Sequence, residues 1–310
     1  MKALETTGAL AGLKVAHIDD LDRYKAAVER GRQTGWGYYF PYLLSVNRPD
    51  RSATLMSEEE GSICVFRWRV EETGERLDLH LPPIPMNAPV LRRCLERAND
   101  FNRGFSARIL RIDAADAPVL TGLPYLRVRE RRQQYLFAPS TYENLTGTNL
   151  RTIRRHVARV EQLPDVHVAP YSPSHAGECM ELLSRWKKTH REMHGTAGGT
   201  GASRRAIELA GRLPARDLCG EVVFVDGRLA AFVFGGEIRP GLACAFDRKC
   251  DSEIRGLSYF QFRSFLLGLR DFERVNDGSD AKRTGLRQLK DSFRPVEMHA
   301  EFRAEQISPP

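Results

Sequence analysis

The sequence has no long hydrophobic run. Its longest apolar stretches are nine residues or fewer, whereas a helix needs roughly 20 apolar residues to cross a bilayer. The first 18 residues carry Glu5 and Lys14 within a short apolar stretch and lack the cleavage pattern of a signal peptide. These features predict a soluble, cytoplasmic protein without stable insertion in a membrane.

The sequence also has no C-x-x-C pair and no cysteine spacing typical of a zinc site. We therefore expect its six cysteines to be small core residues. His190 and His194 have a spacing that can bind a metal, but no third ligand is identifiable and the HExxH pattern is not met. The sequence predicts no metal site. The cysteines are Cys64, Cys94, Cys179, Cys219, Cys244 and Cys250.

Lysine is scarce and arginine abundant. Only eight of the 47 basic residues are lysines, which leaves 39 arginines, and the net charge is +7. Positive charge raises the local concentration of polyanions, so nucleic acid, phosphorylated ligands and acidic membrane surfaces are all candidate partners. Hydrophobic residues make up 42% of the 310 residues, which is ordinary for a folded protein of one or two domains.

Secondary-structure patterns divide the chain into two similar halves. Residues 62–70 and 76–81 alternate apolar with polar side chains, which is typical of half-buried strands in a hairpin. The proline-rich stretch 82–89 predicts a linker before a helix. In the second half, Asp226-Gly227 predicts a tight hairpin within residues 220–236. We expect an α/β (α+β) fold with one unit over residues 1–137 and another over residues 138–310.

The C-terminal segment 275–295 contains the densest group of polar residues. We expect Thr284 to cap a helix whose apolar side carries leucines and a phenylalanine, while its other side presents Arg283, Arg287 and Lys290 to a loop with carboxylates. Such cations can hold a phosphate or an oxyanion, and a carboxylate can orient an amine. The alternative interpretation is a charged surface helix with weak intrahelical ion pairs.

A second basic segment precedes it. Arg151, Arg155 and Arg159 lie at i, i+4 and i+8 of a predicted helix, with Arg154 beside them and apolar residues on the opposite side. Residues 127–159 contain eight arginines against two acids. This surplus fits the phosphates of a tRNA acceptor stem, although a solvated basic face explains the same residues taken singly.

The C-terminal segment resembles the closing motif of the C-terminal domain of bacterial phosphatidylglycerol lysyltransferases. That motif reads approximately Asn, a short acidic loop, then Gly-Leu-Arg-x-x-Lys-x-Ser-Phe/Tyr-x-Pro. The matching residues here are Asn276, Asp280, Gly285, Leu286, Arg287, Lys290, Ser292, Phe293 and Pro295. A second stretch is Tyr142 to Gly147, and a third combines Val223 to Gly236 with Glu253 to Gly256. The resemblance runs in order from about residue 36 to residue 303.

The resemblance implies tandem GNAT-like acyltransferase units packed side by side. It also implies that the donor is an aminoacyl-tRNA, with no bound cofactor. Some soluble relatives, such as the seryl transferase of the valanimycin pathway, aminoacylate a small metabolite. Because the transmembrane helices of the lipid-modifying members have no counterpart here, a small-molecule acceptor, in natural-product or antibiotic biosynthesis, is the expected acceptor.

On this hypothesis the protein catalyses aminolysis of the ester between an amino acid and the terminal adenosine of the tRNA. We assign Asp280 to orienting the reacting group, Lys290 and Arg287 to facing phosphate or developing negative charge, and Asn276 and Ser292 to hydrogen bonds. The residues assigned to tRNA binding are Arg151, Arg154, Arg155, Arg159, Lys282 and Arg283. Neither the amino acid, the acceptor nor the oligomeric state follows from the sequence.

Three alternatives stay open at this point. One is N-acylation from acyl-CoA on the same fold, although the segment matching the CoA pyrophosphate turn, residues 253–258, has a single glycine. Another is aminoacylation of an anionic phospholipid. The third is a non-catalytic member that only binds tRNA or anionic lipid. The glycine-rich loop 195–201 predicts a mobile surface loop.

Overall fold

The computed structural model describes residues 10–48, 50–104, 107–194 and 199–309, with the side chains of residues 193 and 194 left undescribed. The chain divides into two compact units. Unit 1 comprises Met1–Gln133 and His299–Pro310, and unit 2 comprises Gln134–Met298. The sequence prediction drew this boundary after residue 137 and kept the C-terminal strand in the second unit. That strand counts with unit 1 because it pairs with a unit 1 strand.

Unit 1 contains an antiparallel meander and a crossover helix. Its helices are α1 (Leu21–Gly31), α2 (Phe40–Ser45), α3 (Ala88–Asn102) and α4 (Ala117–Thr121). Helix α3 connects two parallel strands, which pair at Leu79 and Ile109. The strands are β1 (Lys14–Val15), β2 (Ser52–Glu59), β3 (Ser62–Glu71), β4 (Gly74–Ile84), β5 (Arg108–Asp113) and β12 (Glu297–Gln306), together with the first part of β6 (Leu126–Phe137).

Alternation along β3 and β4 determines which face of the unit 1 sheet is buried. Phe66 and Trp68 of β3 and Leu77 and Leu79 of β4 belong to one apolar cluster, and the residues between them are polar. The prediction of a hairpin here is confirmed. The prediction that residues 82–89 form a linker is wrong at its start, since β4 continues through Pro82 and Pro83 to Ile84. A register shift between Ile63 and Val65 of β3 accommodates the prolines, which lack an N–H to donate.

Unit 2 repeats the same plan with different residues. The strands β7 (His167–Pro170), β8 (Cys219–Val225), β9 (Arg228–Arg239) and β10 (Leu242–Cys250) form the antiparallel meander, α8 (Leu257–Gly268) is the crossover, and β11 (Arg274–Asn276) runs parallel to β10. The remaining helices are α5 (Arg151–Glu161), α6 (Ala176–His194), α7 (Thr200–Leu209) and α9 (Thr284–Ser292).

Local signals in unit 2 explain its elements. Asp226 and Gly227 both adopt positive φ, 51° and 69°, as the predicted tight hairpin between β8 and β9 requires. Helix α5 buries Ile153, Val157 and Val160 on one side, which confirms the predicted amphipathic helix. Across the described residues, no helix combines the length and apolarity needed to cross a membrane.

Candidate active site

The parallel strands β10 and β11 separate at one end of their pairing. They pair only from Leu242 opposite Arg274 to Cys244 opposite Asn276, after which β11 ends while β10 continues to Cys250. A register shift between Ala245 and Asp247 bends β10 in the same region. Beyond Asn276 the chain is therefore no longer paired with β10, and it stays hydrogen-bonded to Tyr135 of β6.

A buried turn follows β11. The side chain of Asn276 donates to the Gln134 Oε1 atom at 2.8 Å and accepts from the Gly278 N–H at 2.8 Å. The Asp277 N–H donates to the carbonyl of Tyr135 at 3.0 Å, and the Tyr135 N–H donates to the carbonyl of Gly278 at 3.1 Å. Gly278 has φ of +63°, a conformation that suits glycine. Asn276, a predicted site residue, thus fixes the turn from inside.

Lys290 of α9 enters this turn. Its ammonium lies 2.7 Å from the Asp277 carboxylate and donates to the carbonyls of Asp277 and of Gly278, the second at 3.2 Å. The ring of Tyr135 is 5.3 Å from the same nitrogen. The residue is only 1% exposed, so Lys290 does not lie on the solvent side of α9 as the sequence pattern suggested. Its charge is enclosed by the carboxylate and two backbone dipoles.

Burial makes this lysine easier to deprotonate. Desolvation lowers the pKa of Lys290 to about 8, since the charged ammonium loses its hydration. The Asp277 carboxylate opposes that shift, and the nearby Arg248 guanidinium adds to it. A group with such a pKa can exchange a proton near neutral pH.

Arg248 of β10 completes the cluster. Its Nη2 atom lies 2.8 Å from the Asp277 carboxylate, and its guanidinium lies 4.1 Å from the centre of the Phe262 ring. Its Nη1 atom is buried and has no hydrogen-bond partner among the described residues. A buried N–H donor without an acceptor fits a site where negative charge develops. We refer to Asp277, Lys290 and Arg248 as the buried cluster.

Sequence reasoning missed Arg248. The signal that could have found it is the run Asp247-Arg248-Lys249, three charged residues at the end of an otherwise apolar strand. The Asp247 Oδ2 atom is also buried without a partner among the described residues. Charged side chains in a buried strand require compensation, so such a run indicates a site.

Asp280 lies at the exposed margin of the turn. Its carboxylate accepts from the Arg287 Nε atom at 2.6 Å and from the Lys282 N–H at 2.9 Å, and the Tyr135 hydroxyl lies 3.5 Å away. Burial acts to raise the pKa of Asp280, but the Lys282 N–H and the Arg287 charge outweigh it and hold the pKa below its usual value. The structure thus brings Asp280 and Arg287 together as an ion pair.

The remaining predicted residues of this segment are separate from the buried cluster. Ser292 donates to the carbonyl of Gln288 at 2.7 Å, one turn back along α9. Lys282 and Arg283 are exposed. The prediction that Thr284 caps α9 is wrong, because the helix begins at Thr284 and Arg283 occupies the cap position without a side-chain hydrogen bond.

A family model for the C-terminal region of phosphatidylglycerol lysyltransferases matches residues 48–305. The chain belongs to this family. No curated protein matches the sequence.

Solved structures of the same fold are similar over nearly the whole chain. A conserved protein of unknown function from Bacteroides thetaiotaomicron has 21% identity and a TM-score of 0.81, covering 95% of this chain and 99% of its own. L-PGS from Bacillus licheniformis has 12% identity and a TM-score of 0.65, with 92% and 91% covered. A C-terminal DUF2156 domain from Agrobacterium fabrum, named as that of a proposed lysylphosphatidylglycerol synthetase, has 16% identity and a TM-score of 0.64, with 94% and 92% covered.

These findings confirm the predicted family, and the structure confirms the predicted α/β class with two units of helices and strands. Membership also makes the chain a transferase, in a family that is named for lysyl transfer. The identities below 25% support the fold alone.

Helix α5 carries the four arginines that the sequence predicted to bind tRNA. All four arginines are exposed, namely Arg151, Arg154, Arg155 and Arg159. Arg154 also donates to the carbonyls of Leu145 and Gly147, the second at 3.3 Å. Three of the four predicted arginines therefore form an open row, and the fourth holds the loop that precedes the helix.

Helix α5 also covers the beginning of α8, which follows the segment compared above with a CoA pyrophosphate turn. Gly256, at the cap position of α8, has φ of +100°, and a Cβ atom there would lie 2.9 Å from the carbonyl oxygen of His156. The His156 ring stacks on Tyr259 at 4.3 Å between centroids. Helix α5 thus packs closely against Gly256 at the start of α8.

Two groups of side chains have the composition of metal ligands. His190 stacks on Trp186 at 4.4 Å, and the side chain of His194 lies outside the described residues, as does most of the predicted loop 195–201. Within the described part of the chain, Glu59, Cys64 and Cys94 have ligand atoms within 4.8 Å of one another. Glu59 is ion-paired with Arg93 there, and both thiols belong to the unit 1 apolar cluster.

Proposed function

We propose that the protein transfers an aminoacyl group from aminoacyl-tRNA to a small-molecule acceptor, without a bound cofactor. The observation that carries the proposal is the buried cluster where β10 and β11 separate, in which Asp277 pairs with Lys290 and Arg248 and one Arg248 N–H is left for an oxyanion. Membership of a family named for lysyl transfer agrees with it.

An aminoacyl ester is already activated, so the reaction needs positioning, oxyanion stabilisation and transfer of one proton. The acceptor amine attacks the ester carbonyl, a C–N bond forms, and the C–O bond to the ribose breaks. The proton lost by the amine ends on the ribose oxygen. Asp280 would orient the amine, the Arg248 N–H would stabilise the tetrahedral oxyanion, and Lys290 would hold Asp277 and Arg248 in place.

The exposed cations of unit 2 suit the phosphates of the aminoacyl-tRNA donor substrate. Arg151, Arg155 and Arg159 form one open row on α5, and Lys282 and Arg283 are exposed before α9. Arginines on a helix face can bind successive phosphates without reading base sequence. We therefore expect tRNA binding to weaken with salt and to tolerate changes of tRNA sequence.

The acyl-CoA alternative lacks comparable support. A CoA pyrophosphate would need the N–H groups at the start of α8, where His156 is packed against Gly256.

The test is incubation with a mixture of radiolabelled aminoacyl-tRNAs and a cell extract as the source of acceptor. The purified protein should transfer one label to a small molecule. Arg248→Gln should reduce the rate by about 100-fold or more, as loss of an oxyanion donor does. Asp280→Asn should reduce it without the risk of unfolding a buried pair. Arg212→Gln, an exposed arginine of unit 2, serves as the control.

Three outcomes would overturn the proposal. Equal rates in Arg248→Gln, Asp280→Asn and the control would remove these residues from the site. Thermal stabilisation by CoA with no effect of aminoacyl-tRNA would favour N-acylation. Recovery of the label in anionic vesicles would make the acceptor a phospholipid.

A further inference from the structure

Unit 1 contains a cleft of about 340 Å³ that the proposed transfer chemistry does not use. Strands β3, β4, β5, β6 and β12 supply most of its lining. We call it the arginine pocket because six arginines line it. These are Arg67, Arg69, Arg108, Arg111, Arg131 and Arg303.

The pocket is the polar side of the half-buried hairpin recognised in the sequence. On β3, Phe66 and Trp68 pack in the core while Arg67 and Arg69 line the cleft. On β4, His80 lines the cleft between core leucines. Alternation therefore places these polar side chains together on one face of the sheet.

The cations in the pocket outnumber the acids. Glu305 is the one acid among the lining residues. Behind them, the buried carboxylate of Asp78 is shared by Arg69, Arg76 and Arg108, and that of Glu301 is shared by Arg111, Arg131 and Arg132. Glu71 also pairs with Arg69 and Arg108, so these three carboxylates balance only part of the charge of six arginines. Burial, together with repulsion from Arg111 and Arg132, lowers the pKa of Arg131 to about 10.

His80 is an independent sign of a missing ligand. It is 4% exposed, it lines the cleft, and neither of its ring nitrogens has a hydrogen-bond partner within the part of the chain that the structure describes. Burial and the surrounding arginines hold its pKa well below the usual value, so the ring is neutral. A neutral imidazole has one donor and one acceptor, and leaving both unused in a buried position is costly.

Hydrogen bonds fix the orientation of the Arg111 guanidinium. Its guanidinium donates to Glu301 at 2.6 Å and to the Tyr42 hydroxyl at 2.9 Å, and it lies 5.0 Å from the centre of the Tyr42 ring. A guanidinium fixed in this way suits bidentate binding of a planar oxyanion at little entropic cost.

We propose that the arginine pocket binds a small molecule carrying a phosphate or carboxylate group. The arginines bind the oxyanion, and the His80 nitrogens bond a neighbouring polar group of the same molecule. The volume is at the lower end of ligand sites, which span roughly 300 to 1,000 Å³. A concave site with His80 and Arg67 buried in its wall favours a small ligand over an RNA backbone, which lies on open surface.

The test is titration of the purified protein with inorganic phosphate, and separately with acetate, at constant ionic strength set with chloride. Binding is followed by calorimetry and by thermal shift. Arg131→Gln leaves Glu301 paired with Arg111 and Arg132, and His80→Phe removes both ring nitrogens but keeps an aromatic ring. Arg127→Gln, an exposed arginine of the same strand, is the control.

We expect saturable binding of at least one anion in the wild type, weakened 10-fold or more in Arg131→Gln and His80→Phe and unchanged in Arg127→Gln. Acetate tighter than phosphate would identify a carboxylate ligand, and the reverse a phosphate. Equal affinity in all four proteins, or stabilisation that never saturates, would overturn the proposal. If tRNA without an amino acid competes with the anion for binding, and this competition depends on Arg131 and His80, the proposal is overturned in favour of an RNA ligand. None of these measurements requires aminoacyl transfer.

Discussion

Replacing Lys290 by methionine measures the electrostatic cost of the buried cluster, because methionine retains an unbranched chain without the charge. Burial lowers the pKa of Lys290 to about 8 from its ordinary 10.5. At about 1.4 kcal/mol per unit, this corresponds to about 3 kcal/mol by which folding disfavours the ammonium relative to the neutral amine.

The sign of the pH dependence follows from proton binding. Below pH 8 the lysine is protonated in both states, so the whole cost is present. Between pH 8 and 10.5 the unfolded chain holds a proton that the folded chain has released, and stability therefore rises with pH. The free energy of unfolding of the wild type minus that of Lys290→Met should grow by up to about 3 kcal/mol over this range.

Urea unfolding of both proteins at several pH values between about 7 and 10.5 provides the measurement. Taking the difference cancels the titration of tyrosines that both proteins share. Lys188→Met, an exposed lysine on α6, should give a much smaller pH-dependent difference. A difference that stays flat, or that falls as pH rises, would refute the assignment of Lys290 as a buried ammonium opposed by desolvation.

Two further substitutions test the structure of unit 2. Burial raises the pKa of Glu221 to about 7, and a hydrogen bond from Ser264 opposes this shift only in part. The stability that protonated Glu221 contributes is therefore lost as pH rises from about 4.5 to 7. Glu221→Gln should stabilise the protein by up to about 3 kcal/mol above pH 7 and have little effect below pH 4.5, as measured by urea unfolding. A Cβ atom at Gly235 would lie 2.1 Å from the carbonyl oxygen of Cys244, so Gly235→Ala should lower the free energy of unfolding by about 3 kcal/mol or more. Gly268 has open space around it, so Gly268→Ala should be tolerated. Equal melting temperatures of the two variants would contradict this packing.

Much of the candidate site is visible in the sequence as a set of residues, but its geometry is not. The motif pointed to Asn276, Asp280, Arg287 and Lys290, and the structure brings the first and last to one buried turn and the other two to an ion pair at its margin. Helix periodicity placed Lys290 among exposed cations. The turn carbonyls that enclose its ammonium come from residues 12 and 13 positions earlier, which a helical pattern does not register.

The sequence by itself determined the features that depend on neighbouring residues. The alternation in β3 and β4, the amphipathic α5 and the Asp226-Gly227 turn are consequences of periods of two and 3.6 residues and of backbone sterics. The tertiary structure alone decided that β4 continues through Pro82 and Pro83, that the C-terminal strand pairs with β5, and that Arg248 meets Asp277. Strand pairing and the burial of charge depend on residues far apart in the chain, and no local pattern encodes which of them meet.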